Sequence, residues 1–286
     1  YALSSNTTAG FNTGIGNAAL QATTVGHSNT AVGSSALNQV TTGDFNVAVG
    51  YNAGLVMTTG DRSIAIGPES LDACTTGQYN VGIGSGALGS LTDSDSNTAV
   101  GLSSGAAVTT GANNLFLGKD AGITGSPGGN ITTGSNEIVL GDENISEAHI
   151  QVDWTVASDQ RDKTDVTPME MGLDFVNKLE PVTYKWDKRS LYVEKGEDFK
   201  DLVPDGTHKE DWLDTGFLAQ DVEILESKYG YNIANKTNLT TTLSDDGNQY
   251  GLTYSKFVPI LVKAVQELSA EIEELKSQPK CKCNEE

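Results

Sequence analysis

One short phrase of alternating small and branched residues returns along the first half of the chain at a fixed spacing. Asn29-Thr30-Ala31-Val32-Gly33 is followed by Asn46-Val47-Ala48-Val49-Gly50 and Ser63-Ile64-Ala65-Ile66-Gly67. Asn80-Val81-Gly82-Ile83-Gly84, Asn97-Thr98-Ala99-Val100-Gly101 and Asn114-Leu115-Phe116-Leu117-Gly118 continue the series. The closing glycines stand at 16, 33, 50, 67, 84, 101 and 118, a constant step of 17 residues. A small-residue run such as Ser34-Ser35-Ala36-Leu37 comes next, and most repeats hold a Thr-Thr-Gly turn, as at Thr41-Thr42-Gly43, Thr58-Thr59-Gly60 and Thr75-Thr76-Gly77. A period kept this well is the signature of a solenoid.

Alternation in Thr30-Ala31-Val32-Gly33 puts small residues on one face and Thr and Val on the other, as a half-buried strand requires. Asn and Gly are expected to turn the chain, because both tolerate left-handed backbone. The repeat length accommodates two short strands and two turns per coil. One coil buries too little apolar area alone, so coils must stack, and such thin coils are expected to pack around a threefold axis as well. An insertion, Gly125-Ser126-Pro127-Gly128-Gly129, precedes a last degenerate repeat, Asn136-Glu137-Ile138-Val139-Leu140-Gly141.

From about residue 158 the pattern changes, and Trp, Tyr, Lys and Asp become common. Met169–Leu179 reads as a short helix and Pro181–Trp186 as a strand entered through proline. Leu191–Asp211 reads as a charged hairpin or loop, and Gly216–Leu225 as the start of a strand or helix. Tyr254–Lys276 is the clearest helix, stopped by Pro279. Its apolar positions Val258, Leu261, Val265, Leu268, Ile272 and Leu275 alternate steps of three and four, a coiled-coil seam. β-Branched residues at one seam position with Leu at the other favour two strands. That preference disagrees with a trimer, which the period itself does not establish; with only about three heptads docked on a larger domain, the overall architecture takes precedence.

Composition narrows the functions available. The 286 residues carry 18 basic and 38 acidic side chains, a formal charge of −20. Such a balance argues against nucleic acid as a partner, because phosphate binding needs a basic surface. No apolar run approaches the ~20 residues of a membrane-spanning helix, and no signal-peptide pattern opens the chain. A chain that opens on Tyr1 is expected to be the end of a longer protein. Three cysteines, Cys74, Cys281 and Cys283, form no framework spacing and read as reduced thiols. Cys281-Lys282-Cys283 lacks the second ligand pair of a metal site.

Candidate chemistry sits at the border between the two patterns, in Ser158-Asp159-Gln160-Arg161-Asp162-Lys163. A serine five residues before a lysine carries little weight by itself, and the bland reading is a turn cap beside a solvated charge. Three further motifs follow in order: Leu179-Glu180-Pro181-Val182-Thr183-Tyr184-Lys185-Trp186, Gly216-Phe217-Leu218-Ala219-Gln220-Asp221-Val222-Glu223 and Tyr254-Ser255-Lys256-Phe257-Val258-Pro259-Ile260-Leu261. Together they resemble the intramolecular chaperone domain of phage tail fibres and tailspikes, the self-cleaving serine peptidase family that includes endosialidase tails. The resemblance spans about 158–278. Residues 1–157 in turn resemble the left-handed β-roll heads of trimeric autotransporter adhesins and related fibre repeats, and both handedness and trimer come from that likeness.

The resemblance implies that Ser158 is the nucleophile, Lys163 its base, and Ala157–Ser158 the bond that is cut. Asp159 and Arg161 match the motif as orienting or pairing residues. A serine hydroxyl needs a base to become nucleophilic, and an amine can serve only when neutral, a state favoured by partial burial. Cleavage is therefore expected to wait for folding. No cofactor and no metal is implied, and no activity on external substrates.

Other signals carry less. Gly84-Ser85-Gly86-Ala87-Leu88-Gly89 matches a dinucleotide fingerprint, but its glycines belong to the repeat. Asp93-Ser94-Asp95-Ser96-Asn97 opens like a calcium loop, with Thr98 where the Gly belongs and Ser104 where the Glu belongs. His27, His149 and His208 are isolated, His149 being an alternative base for Ser158. Glu137, Asp142, Glu143 and Glu147 form an acidic cluster that reads as glycosidase carboxylates or, more simply, a solvated face.

The expected architecture is thus a mainly β repeat, a trimeric parallel β-roll or solenoid over 1–157. An α+β chaperone domain over 158–286 follows, ending in a long coiled-coil helix over 254–277. The expected function is the distal part of a phage fibre or spike that contacts a host cell-surface receptor, a glycan being one candidate. It would join upstream fibre or virion proteins, being assembled in the host cytoplasm and located in the virion. Its chaperone domain would set trimer register and then release itself. The alternatives are a structural fibre with an uncleaved, inactive chaperone and a polysaccharide-degrading tailspike. Membrane-bound transcription regulators with this domain need a basic DNA-binding module, which the acidic repeat excludes.

Overall fold

The computed structural model describes residues 1–194 and 197–278. Pro279 and the Cys281/Cys283 pair lie outside them. Among the described residues no helix is long and apolar enough to cross a membrane.

Eight three-residue strands, β1 (Thr13–Ile15), β2 (Thr30–Val32), β3 (Val47–Val49), β4 (Ile64–Ile66), β5 (Val81–Ile83), β6 (Thr98–Val100), β7 (Leu115–Leu117) and β8 (Ile138–Leu140), form one parallel sheet in sequence order. Thr13 pairs with Thr30, Thr30 with Val47 and Val47 with Ile64, so each coil advances by one repeat. Leu115 pairs with Ile138, where the Gly125–Gly129 insertion lengthens the coil without breaking the stack. This is the parallel solenoid the period predicts.

Each coil holds one strand, not the two expected. Four left-handed residues per coil bend the remainder too sharply for a second strand, as Arg62, Gly67, Glu69 and Leu71 show in one coil. The bends still bond to the next coil, for example Leu71 N–H to Ala87 O at 3.0 Å and Thr75 N–H to Thr92 O at 2.7 Å. Every coil thereby satisfies its backbone through its neighbours, which is why coils must stack to persist.

The central strand residues Ala31, Ala48, Ala65, Ala99, Phe116 and Val139 point inward with Leu20, Leu37, Leu71, Leu88 and Leu91. Phe116 stands between Ala99 and Val139 at a position that is alanine in several coils, and glycine compensates nearby. A Cβ on Gly122 would fall on the Phe116 ring, and one on Gly105 would lie 2.8 Å from it. Cys74 is buried in the same core, and burial pushes its thiol up to about 11.

The repeating asparagine does not make the turn. The left-handed residues are those before it, Ser28, Phe45, Tyr79 and Ser96, while Asn29, Asn46, Asn80 and Asn97 are buried. Each side-chain oxygen accepts the next coil's N–H, Asn29 Oδ1 from Asn46 at 2.9 Å and Asn80 Oδ1 from Asn97 at 2.9 Å. Each amide nitrogen donates to a carbonyl of the following turn, as Asn46 Nδ2 does to Gly60 O at 2.7 Å. Asn is used because one side chain supplies a donor and an acceptor together.

Two compact units result. The first comprises Tyr1–Glu147 together with Asp187–His208 and Ser244–Gln249. Within it, Lys188 Nζ donates to Glu143 O at 2.7 Å, and Asp246 Oδ2 accepts the Asn130 N–H at 3.0 Å. The Arg189 guanidinium donates to Lys200 O at 2.6 Å and lies 5.3 Å from the Phe199 ring centroid. Among the described residues of Leu191–Asp211 there is no strand pair: a 3-10 turn at Arg189–Tyr192 is followed by loop, the second of the two expected forms.

The second unit, Ala148–Trp186, Lys209–Leu243 and Tyr250–Glu286, is the small α+β region. Helix α1 (Leu173–Val176) is shorter than the predicted Met169–Leu179, beginning only after Gly172. Strand β9 (Val182–Tyr184) pairs antiparallel with β10 (Asp214–Gly216), and β11 (Thr241–Leu243) with β12 (Tyr250–Leu252). Helix α2 (Ala219–Ser227) buries Val222 and Leu225. Its Glu226 is also buried and accepts the Thr240 N–H, Thr240 Oγ1 and Thr241 Oγ1 at 2.6–2.7 Å, tying the start of β11 to the helix.

A 3-10 turn at Tyr254–Lys256 runs into α3 (Phe257–Ser277). Pro259 lies in the first turn, where its missing N–H would have no intrahelical partner. Helix α3 buries Phe257, Ile260 and Ala264. Its Glu267 caps α1 by accepting the Leu173 N–H at 2.7 Å. The Val258, Leu261, Val265, Leu268, Ile272 and Leu275 row is left 42–66% exposed.

Candidate functional site

The Ser158–Lys163 segment folds into a single tight turn. Asp159 starts a 3-10 turn over Gln160–Asp162, its Oδ1 accepting the Arg161 N–H at 2.9 Å. The Asp162 N–H bonds to Asp159 O, and the Lys163 N–H to Gln160 O, both at 3.2 Å. The guanidinium of Arg161 closes a fork on the same carboxylate, Nε at 3.1 Å from Oδ1 and Nη2 at 2.6 Å from Oδ2. That fork, with the backbone bond second, holds the Asp159 carboxyl below the ordinary carboxylate range.

The turn reverses the chain between the two candidate residues, Ser158 and Lys163. Lys163 leaves it extended, and its Nζ reaches back to Ser158 Oγ at 2.7 Å. The serine hydroxyl therefore contacts the lysine amine, at the distance of a nucleophile and its base. Asp159 and Arg161 pair with each other rather than with Ser158 or Lys163, and shape the turn that brings those two side chains together.

Burial is the part of the expectation that the single chain does not meet. Ser158 and Lys163 are both exposed, as is every residue from 144 to 168. The short turn has no surface of its own large enough to cover them.

Several of the remaining candidates are engaged elsewhere. Asp95 Oδ1 accepts the Gln78 N–H at 2.7 Å, repeating what Asp44 does for His27 and Asp61 for Asp44 one coil apart. Asp95 of the calcium-like loop thus serves as a ladder rung, while Asp93 accepts from the adjacent Thr92 Oγ1 at 3.0 Å. In the acidic cluster, Asp142 lies 3.7 Å from Lys119 Nζ. The Glu137 carboxyl is raised by burial and by the charge of Asp245.

Sequence reasoning missed two features. The outward residues of the solenoid strands, Ile15, Val49, Ile66, Val100, Leu117 and Leu140, form an exposed aliphatic column. The strand alternation contained this signal. Glu226 and Glu267 each serve a distant backbone amide, which no local spacing announces.

A parallel solenoid followed by a small α+β region with a long C-terminal helix is a fibre-like build. Residues 158–231 match the family model described as chaperone of endosialidase. The match begins at Ser158, and with it this part of the chain has the signature of an intramolecular chaperone. No curated protein matches the chain, and no solved structure does.

Proposed function

We propose that the chain is the distal part of a trimeric fibre, of the phage tail-fibre type, whose C-terminal domain aligns three chains and then cuts itself free between Ala157 and Ser158. The observation that carries this reading is the 2.7 Å contact between Ser158 Oγ and Lys163 Nζ at the first residue of the family match. Neutral Lys163 takes the hydroxyl proton as Oγ attacks the Ala157 carbonyl carbon. The C–N bond breaks, the Ser158 nitrogen receives that proton, and an ester joins Ala157 to Oγ. Water then hydrolyses the ester, leaving the Ala157 carboxylate and the free Ser158 hydroxyl.

Three copies suit the surfaces left over. The outward aliphatic column of the solenoid and the apolar row of α3 are both exposed in the single chain. A coiled coil of three α3 helices covers the row. Repeats alike in every coil can mis-pair by whole coils, since each slip buries similar surface. A domain that trimerises first sets the register and raises the local concentration of the shafts. Removing it leaves the fibre held by its unfolding barrier. The repeat face is then free to contact a host-cell receptor from the virion.

The test is an intact-mass spectrum of the folded protein beside Ser158→Ala. Fragments divided at Ala157–Ser158 in the native chain, with the variant whole, are the expected result. A native trimer that stays whole on long incubation removes the catalytic assignment. It would favour a second reading, a permanent structural clamp, which the solvated position of Lys163 in the single chain supports.

A further inference from the structure

Residues 148–157 combine a strand pattern with the absence of any strand. Ile150, Val152, Trp154 and Val156 occupy alternate positions, and their exposures are 53, 73, 72 and 81%. His149, Gln151, Asp153 and Thr155 fall between them. Period-two alternation is the mark of a segment with one face to bury. Yet among the described residues none of the three sheets includes this segment. Four large apolar side chains, which an extended strand would set in a line of about 20 Å, face water. Such a patch marks an interaction surface.

We propose that 148–157 is a strand that forms only between chains, three parallel copies wrapping about a common axis with Ile150, Val152, Trp154 and Val156 turned inward. The proposal rests on the trimer proposed above and deepens it. A copy of the same segment is the occupant that fits. Around a closed symmetry axis each face meets its own equivalent, so apolar spacing matches without further design. Charge permits it, because Asp153 is the segment's one carboxylate in a chain of net charge −20. The solenoid column before it and the α3 row after it are exposed and call for the same partner.

The strand ends at the bond to be cut. Once paired, it presents the Ala157 carbonyl from a rigid element and brings neighbouring chains against the exposed Ser158–Lys163 turn. The site is in this sense incomplete in one chain.

Ser158→Ala full-length protein, which keeps the bond, allows a direct test. Its mass in solution is measured by light scattering, and its amide exchange is read by mass spectrometry. A trimer in which amides 150–156 exchange at least ~100-fold slower than an unstructured peptide is expected. Adding Trp154→Cys, with Cys281→Ser and Cys283→Ser, should yield interchain disulfides on mild oxidation. A trimer whose 150–156 amides exchange freely overturns the strand while leaving the trimer standing. Protection without interchain links means pairing within one chain and also overturns it. A chain that stays monomeric removes the trimer and this inference together.

Discussion

The side-chain oxygen of Asn80 accepts the Asn97 N–H at 2.9 Å, while its amide nitrogen donates to Ser94 O at 2.8 Å. One buried side chain thus fastens two coils at two points. The solenoid interior is mostly alanine and leucine, so these fastenings carry specificity that a thin core does not. They fix each coil one repeat ahead of the last.

Removing the fastening should expose its worth. Asn80→Ala strands a buried N–H and a carbonyl, and a loss of about 2–4 kcal/mol is expected from two unmet groups. Asn80→Ser should lose less, because Ser63 already fills this position one coil earlier, its Oγ accepting the Asn80 N–H at 3.2 Å. Denaturant unfolding of both variants checks the order. Equal losses would mean that the ladder adds little beyond filling space.

The glycine column offers a comparison between two kinds of constraint. At Gly84 a Cβ would lie 2.2 Å from Gly101 O, on a backbone with φ of +132°. Gly206 also has positive φ, +93°, but nothing stands within 4 Å. Gly206→Ala should therefore lose only the conformational preference, on the order of 1 kcal/mol. Gly84→Ala must in addition push adjacent coils apart, and a loss above ~3 kcal/mol is expected. Thermal unfolding of the two variants side by side measures the difference.

The Asp159–Arg161 fork should control the rate of self-cleavage without touching assembly. Arg161→Ala is expected to slow it roughly tenfold through loss of the turn that presents Lys163. The trimer mass should stay unchanged. Because the Asp159 carboxyl is held below its ordinary 3.8, the fork persists above that value and is lost as pH falls through the lowered one. The Arg161 Nε resonance should therefore hold steady from pH 7 to about 4 and move only below. Movement near pH 5 would contradict the pairing.

Much of the architecture was legible in the residues themselves. Strand rise and helix pitch are constants, so a 17-residue step, a period-two phrase and a three-and-four apolar row translate directly into coils, strands and a helix. The first of the four ordered motifs, at Ser158, coincides with the start of the family match, whereas the compact units divide after Glu147. The alternation at 150–156 lay equally open, but its meaning needed the exposure of those side chains.

Other features belong to tertiary structure alone. The repeating asparagine turned inward because a buried coil-to-coil bond satisfies two backbone groups, whereas its tolerance of left-handed backbone pointed to a turn. One strand per coil, not two, follows from bends whose hydrogen-bond partners lie a whole repeat away. Asp187–His208 and Ser244–Gln249 cluster with the solenoid although they are remote from it in the chain. The Ser158–Lys163 distance depends on a fork and a turn acting together. The sequence by itself determined the elements, because local spacing acts through fixed backbone geometry. Which surfaces meet was decided only in the folded chain, because burial and hydrogen-bond satisfaction are settled between residues that the sequence keeps far apart.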